Sequence, residues 1–242
     1  MAGANDFATV VAICFDAGMT LIGPRKDVPQ LCAEIAAELG YIVTPEDVQR
    51  EMADADGLYR ELLRDDPQIW SREASIRKMW RAYYSLIFTR LGLDGAVSRA
   101  ADSVYERFNR VEQWSVFVDV WPTLTELRSR GYQIGVVSDW GPQLVDSLLV
   151  PLGLGQLIDT VVVSARVGLA KPSTELYRLA ASRFGLDPQQ VMHLGDSYVH
   201  DVLGARSAGM QAVLVDRERR TAGTQLDCPR VWDLTQVLEL VP

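Results

Sequence analysis

The chain has 242 residues, 48% of them apolar and 23% charged, with a formal net charge of −8. That length holds one large domain or a core with a smaller insert. The acidic balance, with Lys and Arg scattered, excludes the basic face that nucleic acid or an anionic membrane requires.

No apolar run approaches the ~20 residues of a membrane-spanning helix, and residues 1–9 lack the basic and apolar segments of a leader. The three cysteines, Cys14, Cys32 and Cys228, have no metal-ligand spacing. A soluble, cytoplasmic protein is expected. The run 10–15 is apolar and rich in β-branched residues, which reads as a buried strand of a parallel sheet. It ends on Asp16, and ligands of open α/β sheets bind beyond the carboxyl ends of the strands. Residues 20–24 read as a short extended excursion closed by a turn. From about 29 to 114 strand-like runs vanish. Leu31, Ile35 and Leu39 recur on one helical face until Gly40 stops it. Thr44-Pro45-Glu46-Asp47 opens a second helix with a cap, an early proline and early acids. Helices over 71–91 and 97–108 follow. Trp70, Trp80, Tyr83, Tyr84, Phe88 and Tyr105 read as the core of this bundle, and no site is expected among them.

At Phe117-Val118-Asp119-Val120 the alternation of strands and helices resumes. A helix over 121–130 stops at Gly131. A strand over 133–137 ends at Ser138-Asp139, and a helix over 142–150 ends at Pro151. A strand within 157–163 leads through a loop to Lys171-Pro172. A helix over 173–184, with Ser173 as its N-cap, ends at Gly185. The strand 191–194 ends at Gly195-Asp196, the helix 199–208 stops at Gly209, and 211–215 is a further strand. Arg217, Arg219 and Arg220 alternate with Asp216 and Glu218, which reads as a solvated loop. This spacing specifies right-handed crossovers and a doubly wound parallel α/β sheet. The expected core comprises residues 1–22 and 115–242, and residues 23–114 form an inserted helical domain.

Asp16, Ser138, Lys171, Asp196 and, one helical turn on, Asp201 collect at one edge of that sheet. Neighbouring carboxylates repel and need neutralising. A divalent cation such as Mg²⁺ does so with few protein carboxylates, waters and a phosphate, and a lysine can hold a phosphoryl oxygen as a point charge. His193, within a strand, reads as a packed core histidine. His200, beside Asp201, reads as a rim residue.

The segments Phe15-Asp16-Ala17-Gly18-Met19-Thr20-Leu21, Val137-Ser138-Asp139, Lys171-Pro172 and His193-Leu194-Gly195-Asp196-Ser197, the last followed by Asp201-Val202, resemble in order and spacing the haloacid dehalogenase-like hydrolases with an α-helical cap inserted after the first strand. The resemblance covers almost the whole chain, and its last segment is the most specific. It implies Asp16 as nucleophile of an aspartyl-phosphate mechanism on a small-molecule phosphate. Ser138 would bond a phosphoryl oxygen, and Lys171 would pair with Asp16 and the phosphate. Thr20 would order the nucleophile loop. Asp16, Asp196 and the Gly18 carbonyl would hold Mg²⁺. Asp201 would support the metal through water or hold Lys171. The insert would be the cap that excludes water and reads the leaving group.

One position departs from the pattern. Phosphatases of this kind usually carry a second Asp two residues after the nucleophile as general acid, and here Gly18 stands there. General acid catalysis is worth ~10²–10⁴-fold, so its loss falls hardest on alkyl phosphates and least on acyl or aryl ones. Gly18 also admits other readings: a metal-independent 2-haloacid dehalogenase, a phosphonate hydrolase using Lys26 or Lys78 of the insert, or a catalytically silent module that binds phosphate or metal. The complete Gly-Asp-Ser and Asp201 ending favours the Mg²⁺-dependent phosphatase.

Overall fold

The computed structural model describes residues 7–242. Residues 1–6, the start of both the expected core segment and the stretch read as leaderless, lie outside the described residues. Six parallel strands form the central sheet in the order β5-β4-β1-β6-β7-β8. They are β1 (Ala12–Phe15), β4 (Gln133–Ser138), β5 (Thr160–Val163), β6 (Val191–Gly195), β7 (Gln211–Val215) and β8 (Arg230–Val231). The chain winds outward from β1 through β4 and β5, then returns to the other side of β1 with β6. That reversal opens a crevice beside β1, where the expected site residues converge. The sheet is therefore doubly wound, as expected.

Successive strand residues face opposite layers. Ile13 and Phe15 pack with Val120, Leu124 and Leu234 on one face. Ala12 and Cys14 pack with Leu176, Tyr177 and Ala205 on the other. Helix α5 (Val120–Ser129) and the C-terminal turn Leu234–Glu239 cover the first layer, and α7 (Thr174–Phe184) and α8 (Gly204–Ser207) cover the second. A short α6 (Ser164–Val167) follows β5. Strand β8 has only two residues, too short for an apolar run to announce it. The three cysteines are free, and no described helix is long and apolar enough to cross a membrane.

The insert consists of α1 (Val28–Glu38), α2 (Pro45–Asp65), α3 (Glu73–Arg90) and α4 (Val97–Phe108). The Thr44 side chain accepts from the Asp47 N–H, and the Asp47 carboxylate accepts from the Thr44 N–H, the reciprocal cap that opens α2. Leu31, Ile35, Tyr84, Phe88 and Val104 close a separate core. Its two connections are extended. β2 (Ile22–Pro24) pairs antiparallel with β3 (Trp114–Val116), so the expected boundaries at 22/23 and 114/115 fall inside one two-stranded ladder. The excursion at 20–24 is one of its strands.

The expected solvated loop after β7 is corrected at Arg217. Its guanidinium reaches the Asp119 carboxylate at 2.9 Å and the Thr20 carbonyl at 2.8 Å, and it stacks 4.0 Å from the Phe117 ring centroid. Alternating charge pointed to solvent, but the chain folds back there and places this cation between the nucleophile loop and the return strand.

Candidate active site

Asp16 leaves β1 with its N–H donating to the Leu194 carbonyl at 2.8 Å. The loop that follows closes on itself. The Ala17 carbonyl accepts from the N–H groups of Leu21 (2.9 Å) and Ile22 (3.0 Å), and the Met19 N–H donates to Ile22 at 2.7 Å. Met19 takes φ of 56°, a conformation uncommon for a residue with a side chain. The Gly18 carbonyl takes none of these closing bonds.

The loop leaves Asp16 at the floor of a cavity of about 400 Å³ between the sheet edge and the insert. Its Oδ1 accepts from Ser138 Oγ at 3.0 Å and from Lys171 Nζ at 2.6 Å. Among the described residues its Oδ2 has no hydrogen-bond donor. Lys171 also donates to Asp201 Oδ1 at 2.5 Å, so one buried ammonium joins two carboxylates. Asp201 accepts further bonds from His193 Nε2 at 2.9 Å and from the Ser197 N–H at 2.9 Å. A Cβ on Gly195 would lie 2.1 Å from the Asp201 carboxyl carbon, so this glycine makes room for that carboxylate. The turn from Ser197 is wide: its carbonyl accepts from both Asp201 and Val202, an irregularity typical of functional sites.

Burial pushes the Asp16 carboxyl above its ordinary value, against the pull of Lys171. Burial opposes the Lys171 charge too, but Asp16 and Asp201 outweigh it and hold the ammonium well above its ordinary value. At Asp201 burial is likewise overcome, by Lys171 and His193, and the carboxyl lies well below the usual range. Burial lowers His193, so a neutral ring donates its Nε2–H to Asp201. His193 is a core histidine as expected, but one that also orients a carboxylate.

Asp196 lies exposed at the cavity mouth. Among the described residues no three His, Cys, Asp or Glu side chains form a metal-holding cluster. Asp201 in particular turns onto Lys171, His193 and the Ser197 N–H. Of its two expected roles, its contacts are those of a residue that holds Lys171. The remaining donors are the Asp16 carboxylate, the Gly18 carbonyl and Asp196. Two carboxylates and a carbonyl suit Mg²⁺, which keeps several waters. Thr20 stands behind the site. Fully buried, its Oγ1 has no partner among the described residues, and its carbonyl receives Arg217. Main-chain bonds, not its hydroxyl, order the loop.

His200 stands on the wall as the expected rim residue. Asp139, which accepts from the Lys171 N–H at 3.0 Å, was not expected in the cavity. The expectation of no site among the insert's aromatics is corrected: Tyr59, Trp70, Trp80, Tyr84 and Tyr105 line the cavity, while Tyr83 and Phe88 pack in the insert core. Helical spacing alone gives both groups one stripe. The insert touches the core here, where the Trp70 carbonyl accepts from Ser164 Oγ at 2.7 Å.

Burial pushes Asp139 up to about 7 from 3.8, against the lowering by Lys171. Across that pH window the folded chain keeps a proton that the unfolded chain releases, so stability falls as pH rises from about 4 to about 7. Asp139→Asn is expected to flatten this slope and to raise stability at pH 8 by about 2 kcal/mol, with little change at pH 4. Urea denaturation at the two pH values checks it.

A family profile described as haloacid dehalogenase-like hydrolase matches residues 13–215. The mouse haloacid dehalogenase-like hydrolase domain-containing protein 3 is 32% identical over 206 residues, covering 84% of this chain and 80% of its own length. A phosphoserine phosphatase of Thermus thermophilus is 33% identical over 144 residues, 59% of this chain and 58% of its own. The solved structure of the magnesium-bound HAD-hydrolase YfnB of Bacillus subtilis superposes with a TM-score of 0.74 at 14% identity, covering 96% of this chain and 98% of that one.

Proposed function

This chain belongs to the haloacid dehalogenase-like hydrolases, and from that premise we propose that it is a Mg²⁺-dependent phosphomonoester hydrolase acting on small molecules through Asp16. The observation that carries the reading is the asymmetry of the Asp16 carboxylate. Oδ1 is held by Ser138 and Lys171, which leaves Oδ2 facing the cavity to attack phosphorus. The resemblance to a phosphoserine phosphatase supports phosphorus as the centre attacked.

In this reading Lys171 and Ser138 bind the phosphoryl oxygens and offset the charge that builds up on them. Asp201 and His193 keep Lys171 in place as positioning residues. Asp16, Asp196 and the Gly18 carbonyl hold Mg²⁺, whose charge lets carboxylates and phosphate share one site. Residues 23–114 act as the cap, excluding water and reading the leaving group. Gly18 supplies no proton, so esters with good leaving groups turn over fastest.

The test is phosphate release from aryl, acyl and sugar phosphates, with Mg²⁺ and then with excess chelator. Release should be lost in chelator and regained when Mg²⁺ is restored. Chelator-insensitive halide release from 2-haloacids, without phosphate release, would overturn the reading.

A further inference from the structure

The cavity above Asp16 is walled by rings that touch one another without a break. Tyr59 stacks on Trp80 with centroids 5.7 Å apart, and Trp80 stacks on Tyr84 at 5.7 Å. Tyr84 faces Phe108 at 6.5 Å, Phe108 meets Trp114 at 5.9 Å, and Trp114 meets Trp140 edge-on at 5.0 Å. The series runs from the middle of the insert to the nucleophile loop. It ends where the missing acid would stand: a Cβ on Gly18 would lie 3.1 Å from the Trp140 ring. An indole ring stands beside the position where related phosphatases usually carry the acid.

The charge of this wall is as informative as its shape. Lys171 is the only lysine or arginine among the described residues that line the cavity, and it is bound by Asp16 and Asp201. A leaving group with a carboxylate or a second phosphate would find no further Lys or Arg to pair with, and burying an unpaired charge is costly. Of the two amides on the wall, Gln143 donates to Asn109, and Gln143 Oε1 is left as a buried acceptor without a partner among the described residues. A flat apolar ring loses little on entry and gains stacking.

We propose that this site selects aryl phosphates, monoesters of aromatic alcohols whose ring stacks in the chamber against Trp140. The inference rests on the phosphatase reading and names the substrate class for it. The chemistry is consistent with Gly18. Asp16 Oδ2 bonds to phosphorus as the bond from phosphorus to the ester oxygen breaks, and the aryloxide leaves with the bonding pair. A phenol ionises near pH ~10, so the leaving oxygen can depart as an anion and take its proton from solvent. Water then hydrolyses the aspartyl-phosphate, which releases phosphate and restores the carboxylate.

The experiment compares phenylphosphonate with methylphosphonate, two ligands with the same anionic head and no ester to cleave. Their binding to the whole protein in Mg²⁺ is read by tryptophan fluorescence and by displacement with orthophosphate. Phenylphosphonate should bind about 10-fold tighter or more. Trp140→Leu should lose that preference while retaining methylphosphonate, and Trp140→Phe should recover part of it. Equal affinities in the parent protein overturn the aryl assignment and leave the phosphatase reading standing. A preference that survives intact in Trp140→Leu overturns the role of Trp140. Failure of orthophosphate to displace either ligand overturns both readings. The preference without phosphate release from phenyl phosphate upholds the chamber and removes the catalytic reading.

Discussion

Asp16→Asn is expected to lower phosphate release by about 10⁴-fold or more, while the thermal midpoint moves by only a few degrees. The two effects separate because the side chain has two differently used oxygens. The amide oxygen can still accept from Ser138, and Lys171 keeps its partner Asp201. In the proposed mechanism what disappears is the anionic oxygen that attacks phosphorus, and Asp139 and Asp196, which also line the cavity, lack its bonds to both Ser138 and Lys171. Ser138 and Lys171 are both donors, and the Asp201 oxygens are already committed. Steady-state phosphate release and a melting curve on the same sample check the prediction. Wild-type activity in the variant would remove Asp16 as the nucleophile.

The second large effect falls on stability. Lys171→Met should cost about 3–5 kcal/mol at pH 7, the penalty of leaving buried charge without its partner. The Lys171 and Asp201 side chains are each only 3% exposed. Without the ammonium, Asp201 keeps a neutral imidazole and one backbone N–H, and Asp16 keeps only a hydroxyl donor. Both carboxyl groups would then titrate at higher pH than in the parent. Stability of the variant should therefore recover as pH falls through those raised values, opposite to acid loss from an intact ion pair. Urea midpoints at pH 7 and pH 5 test the sign. Asp201→Asn combined with Lys171→Met should restore part of the loss, because it removes one uncompensated charge.

The sheet and the charged cluster were legible in the sequence for the same reason. Strands buried on both faces must be continuous apolar runs, so Val10 to Phe15 and Val191 to Leu194 stand out. Polar residues that end such runs have few places to go except the crevice, hence Asp16, Ser138 and Asp196. Lys171 and Asp201 needed the order and spacing of the motifs to join them. Other features depend on contacts that a linear pattern does not encode. Tyr84 and Phe88 lie one helical turn apart in α3, yet only Tyr84 reaches the cavity. The β2–β3 ladder is three pairs long and joins segments from opposite ends of the insert. Arg217 sits in a run of alternating charge, and only the return of the chain beneath Thr20 turns it into a brace. Asp139 adjoins a recognised residue, but its burial comes from the fold around it.

The approach of Trp140 to Gly18 has a consequence for how such an enzyme could diversify. A Cβ at position 18 would lie 3.1 Å from the indole at position 140, a crowding relieved when the ring gives by a few tenths of an ångström, so the two sites are coupled. Contacting positions of this kind are non-additive. A chain drifting toward alkyl phosphates would place an acid at 18 most readily where residue 140 has shifted or become smaller. The packing of one ring thus bears, together with the chemistry of the acid, on how a side chain at position 18 is received.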